Sequence, residues 1–140
     1  MIRLLPAFAT AFLLCSFAVN ASAQTMSYAQ AGALIARSCG PYIERYCSND
    51  NIGGGRVLGC LQANQANVPQ QCFADYNAVI ASISARTAAQ SGAYSACQQD
   101  IAQYCQGIQP GDGNLRNCLV ASKDVVGGQC RQTLINAGWY

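Results

Sequence analysis

The chain contains no histidine. That absence removes the Ser–His–Asp arrangement for acyl transfer and the histidine-ligated metallohydrolase site. Charge is also scarce. Of 140 residues, 10% are charged, eight basic against six acidic. The cations are scattered singly, which gives no electrostatic footprint for nucleic acid. Cys-x-x-Cys spacing is missing as well, which argues against a dithiol redox centre and against a structural zinc site. After the first twenty residues, no apolar run approaches the roughly 20 residues a bilayer-spanning helix requires.

The remaining chemistry is thin. The carboxylates Glu44, Asp50, Asp75, Asp100, Asp112 and Asp124 form no acid–base pair recognisable in the sequence. Gly53-Gly54-Gly55 lacks the Lys-Ser/Thr that follows a phosphate loop. Gly111-Asp112-Gly113-Asn114 lacks the terminal glutamate of a calcium loop. Both read as turns. No catalytic residue, metal or cofactor is assigned.

The amino terminus reads as an export signal. Met1-Ile2-Arg3 is a short positive start, Leu4 to Val19 is apolar, and Ala21-Ser22-Ala23 supplies small residues for cleavage before Gln24. Leu14 is too bulky to precede a lipidated cysteine, so Cys15 belongs to the signal. An uncleaved signal acting as an anchor is the alternative. Without Arg3, seven basic residues face six acidic ones, a net charge of about +1.

Eight cysteines remain: Cys39, Cys47, Cys60, Cys72, Cys97, Cys105, Cys118 and Cys130. An even number behind an export signal reads as a disulfide framework in an oxidising compartment, periplasmic or secreted. The gaps enclose seven, twelve and eleven residues, and then seven, twelve and eleven again, offset by 58. Ile43 matches Ile101, Tyr46-Cys47 matches Tyr104-Cys105, and Cys60-Leu61 matches Cys118-Leu119. This is an internal duplication.

Each unit has helical periodicity. Cys39, Ile43, Tyr46 and Cys47 lie on one helix face, as do Cys97, Ile101, Tyr104 and Cys105. A break is expected near Gly40-Pro41. Glycine-bearing loops then lead to a second helix with Val57, Cys60 and Leu61, or Leu115, Cys118 and Leu119. A third helix starts near Pro69 and places Cys72, Tyr76, Val79, Ile80 and Ile83 on one side. Its counterpart follows Gly127-Gly128 and carries Cys130, Leu134 and Ala137. Tyr46 and Tyr104 are expected in the core. Eight residues of helix rise about 12 Å. A chain that climbs, turns and descends therefore brings Cys60 to Cys47 and Cys72 to Cys39. The expected pairs are Cys39–Cys72, Cys47–Cys60, Cys97–Cys130 and Cys105–Cys118.

Cys-x7-Cys-x12-Cys-Leu-x10-Cys, with Tyr46 before the second cysteine and Gly54-Gly55-Arg56-Val57 before the third, resembles the cysteine-rich repeat of the Golgi apparatus glycoprotein family. That family is also known as E-selectin ligand or cysteine-rich fibroblast growth factor receptor. In the second copy, Asp100-Ile101, Tyr104-Cys105, Cys118-Leu119 and Cys130 carry the likeness. The resemblance covers about residues 39–80 and 97–137, and a short two-repeat secreted bacterial protein is the nearest description. It implies a disulfide-stapled helical fold. It transfers no growth-factor or selectin contact to any residue here.

The expectation is therefore an all-α protein of two tandem disulfide-stapled repeats, about three short helices each. Residues 1–23 are the cleaved signal, 24–90 the first unit and 91–140 the second. The expected role is a non-catalytic exported binding or structural module for an unidentified protein or glycan. A small carrier of an apolar ligand is the alternative. Nucleic acid and a membrane span in the mature chain are not expected, and oligomeric state is not legible.

Overall fold

A computed structural model describes residues 24–51 and 53–140. The expected signal, with Cys15, lies outside the described residues. Among the described residues there are seven α-helices, in order α1 (Tyr28–Ser38), α2 (Gly40–Tyr46), α3 (Arg56–Ala63), α4 (Gln70–Ala96), α5 (Gln98–Tyr104), α6 (Asn114–Ala121) and α7 (Gly128–Ala137). A single 3-10 turn, Gln65–Asn67, precedes α4, and no strand occurs among the described residues. The protein is all-α, with two repeat-like halves.

Local signals set the helix ends. Ser27 caps α1: its hydroxyl accepts from the Gln30 N–H, while the Gln30 side chain accepts from the Ser27 N–H. Cys39 ends α1 and begins α2, with Pro41 in the first turn of α2. Cys97 occupies the same junction between α4 and α5. The cysteines expected inside one helix therefore sit at helix boundaries, and each unit gains a helix before its first cysteine.

Residues 28–38 and 86–96 correspond by the 58-residue offset, so α1 matches the second half of α4. The first half of α4 likewise matches α7. Neither proline nor glycine interrupts residues 70–91, so nothing stops the helix between the two halves. At 27 residues, α4 is about 40 Å long. It is the last helix of the first unit and the first helix of the second. The boundary drawn between residues 90 and 91 falls within it. α1 packs on α4, and α7 packs on α4 most extensively of all.

Two cores result. Cys39, Cys47, Val57, Leu61, Val68 and Cys72 form the first, with Ile35, Tyr42, Ile43, Tyr46, Phe73 and Tyr76 packed around it. Cys97, Cys105, Leu115, Leu119, Val126, Cys130 and Leu134 form the second, with Ile101 and Trp139 against it. Matched positions do matched work: Val57 and Leu115, Leu61 and Leu119, Val68 and Val126. Tyr46 packs as expected, whereas Tyr104 is 38% exposed. Ile80 also departs from expectation at 51% exposed. It lies one residue past Val79, at the edge of the stripe through Cys72, Tyr76, Val79 and Ile83.

Candidate functional site

The eight cysteines from Cys39 to Cys130 meet in pairs at the ends of the two shortest helices. Cys39 at the start of α2 is bonded to Cys72 in the first turn of α4, with Cα atoms 5.0 Å apart. Cys47 at the end of α2 is bonded to Cys60 in α3, with Cα atoms 5.9 Å apart. In the second unit Cys97 is bonded to Cys130 of α7 at 4.7 Å, and Cys105 to Cys118 of α6 at 6.0 Å. Both bridges of a unit are thus set about one short helix apart, roughly 12 Å. The longer-range bridge is buried at both ends; in the other, Cys60 and Cys118 reach the surface.

The loops between the bridges have one design. Gly53, Gly54 and Gly55 have φ of 121°, 57° and 74°, and Gly111, Asp112 and Gly113 have 121°, 47° and 75°. Three successive left-handed residues require glycine at the outer positions, while aspartate tolerates the middle one. This turn brings α3 or α6 back beside the preceding helix.

One pair of positions differs with a clear reason. In the second unit, the Asp100 carboxylate accepts a hydrogen bond from the Gly127 N–H at 2.7 Å, tying α5 to the start of α7. The equivalent residues in the first unit are Tyr42 and Pro69. Proline has no N–H to satisfy, and Tyr42 packs on the core instead. The backbone is the same in both places: φ −61°, ψ 145° at Pro69 and φ −60°, ψ 155° at Gly127.

The chemistry available is narrow. Cys47, Asp50 and Cys60 cluster closely enough to suggest a metal site, but both sulfurs are in one disulfide and offer no thiolate. Asp75 accepts a hydrogen bond from the Gln71 side chain at 2.8 Å, and Glu44, Asp112 and Asp124 face solvent. A cleft of about 360 Å³ lies between the starts of α5 and α7, lined by Ser95, Gln98, Gln99, Asp100, Gly127 and Gln129. A second, of about 330 Å³, is lined by Gln24, Thr25, Met26, Gln30, Leu34 and Arg37. Polar walls dominate the first, and both are open grooves.

Backbone carbonyls from before α1 and from the end of α7 converge on side chains of α4. The Arg86 guanidinium donates to the Met26 and Gly138 carbonyls, each at 3.2 Å, and lies 5.8 Å from the Tyr28 ring centre. Gln90 donates to the Ala137 carbonyl at 2.9 Å. Nearby, Trp139 packs on the second core and tilts against Tyr94 at 6.1 Å. Lys123 sits over the Tyr140 ring at 5.4 Å. Burial raises the Tyr140 hydroxyl above its ordinary pKa of 10.0, Arg131 opposes that and Asp124 adds to it. No spacing in the sequence flags Arg86, because its acceptors are backbone carbonyls 60 and 52 residues away.

The chain matches the family described as the cysteine rich repeat, over residues 30–69 and 70–125. These two consecutive matches span well over half of it, and the chain belongs to that cysteine-rich repeat family. Cys72 falls at the start of the second matched segment, and Cys130 lies just beyond it. No curated protein and no solved structure matches the chain. The family is a cysteine-rich repeat module and not a known enzyme family. Together with four bridges, it fits a small extracellular-type module and suggests an oxidising environment.

Proposed function

We propose that this cysteine-rich repeat protein is exported, loses residues 1–23, and serves in the periplasm or the secreted space as a non-catalytic binding or structural module. One observation carries the reading: all eight cysteines after residue 23 lie in four bridges. Such bridges persist outside the reducing cytosol. In the chain-entropy treatment, the 13-residue and 33-residue separations contribute about 3 and 4 kcal/mol each. Units of this size have marginal cores and depend on such staples. The partner is a protein or glycan that docks on the polar surface. Both clefts are open rather than enclosed, and the first is walled mainly by polar groups, which ranks a carrier of apolar ligands second, since such ligands are held in enclosed apolar cavities.

The test is thiol trapping on fractionated cells that express the full chain. Alkylation without reduction should modify no cysteine in the extracytoplasmic fraction. Cytosolic protein with alkylatable thiols would refute export. Organic extraction of the native protein separates the two roles, because a stoichiometric lipid in the extract would favour the carrier.

A further inference from the structure

We propose that the exported chain carries a pyroglutamate at its amino terminus, formed from Gln24. The inference rests on the cleavage reading above, which makes Gln24 the first residue with a free α-amine.

The structure leaves Gln24 free to react and holds everything after it. Gln24 is exposed. Thr25 donates through its hydroxyl to the Asn136 carbonyl in α7. The Met26 N–H donates to the Ser82 hydroxyl at 2.7 Å, and the Met26 carbonyl accepts from Arg86. Ser27 then caps α1. Anchoring therefore begins at Thr25, and Gln24 makes no side-chain hydrogen bond among the described residues. Its amine and side-chain amide can meet without disturbing the fold.

The reaction is an intramolecular aminolysis. The α-amine nitrogen attacks Cδ of the Gln24 carboxamide and a new C–N bond closes a five-membered lactam. The side-chain nitrogen leaves as ammonia, taking up the proton that the attacking amine gives up. Nothing is oxidised or reduced, and no cofactor is required. The product is neutral, which removes the terminal charge, and it offers aminopeptidases no free amine.

The experiment uses native exported protein, chilled and mildly acidified at collection, then reduced, alkylated and weighed intact. The expected mass begins at residue 24 and is lower by one ammonia. The chain should resist stepwise amino-terminal degradation until pyroglutamyl aminopeptidase has acted. Gln24→Asn, which would have to close a strained four-membered ring, should keep its ammonia. A chain that starts at Gln24 with full mass and a free amine overturns the proposal and leaves the cleavage reading standing. A chain that retains residues 1–23, or starts elsewhere, overturns both.

Discussion

The two units differ where one must continue and the other must stop. In the first, the final helix runs past Ile80 and becomes the opening helix of the second. In the second, α7 ends at Gly138 with φ 66° and Trp139 folds back onto the core. The left-handed backbone at Gly138 favours glycine, and a Cβ there would push the Arg86 guanidinium aside. The opening helices differ in the same way. α1 starts in solvent and carries the Ser27–Gln30 capping box, while the equivalent positions inside α4 are Ala85 and Ala88, which need no cap. The cysteine frame is common to both units, and the ends are adapted to position, as in other repeat proteins.

Loss of a long-range bridge should have the largest effect. Replacing Cys39 and Cys72 together by alanine removes about 4 kcal/mol in the chain-entropy treatment, and Cys97 with Cys130 should cost the same within error. Denaturant unfolding checks this; unequal losses would break the equivalence of the units. Next, Ala85→Pro places proline in the interior of α4 and should cost about 3 kcal/mol. If α4 couples the units, calorimetry should then show two transitions where the parent shows one.

Exchange of the matched pair sharpens the comparison. Asp100→Ala hands the exposed Gly127 N–H to water and should cost about 1 kcal/mol. Adding Gly127→Pro removes that donor at a backbone angle proline adopts, and should recover most of the loss. Smaller still, Gly54→Asp should be neutral to about 0.5 kcal/mol, whereas Gly55→Ala or Gly113→Ala should cost about 1 kcal/mol because alanine resists the left-handed conformation. Equilibrium unfolding reads each of these.

The smallest effect concerns Tyr140. Its raised pKa means that the folded protein favours the protonated hydroxyl. That contribution is complete below the unfolded value and fades as pH rises through the folded one. Tyr140→Phe should therefore flatten the alkaline fall in stability slightly, which a thermal melt series above neutral pH would detect.

Much of this frame was legible because cysteine spacing and helical periodicity are local. The repeat, the all-α class, the glycine turns and the buried Leu61, Leu119 and Leu134 all follow from residues a few positions apart. The sharing of α4 was written only as an absence, the lack of any breaker over residues 70–91. The helix break beside Gly40-Pro41 was legible from its proline, whereas the matching break at Cys97 was obscured because Cys97 continues an apolar stripe and no proline follows it. The capping box at Ser27 is a short motif readable in advance. The Arg86 clamp was not readable, since its acceptors belong to backbone brought close only by folding.

Disulfide mapping of a non-reduced digest, made at acidic pH to suppress exchange, tests the duplicated frame most directly. The account predicts four linked peptide pairs, Cys39 with Cys72, Cys47 with Cys60, Cys97 with Cys130 and Cys105 with Cys118. A peptide joining Cys39 to Cys47, or any cysteine of the first unit to one of the second, would contradict it.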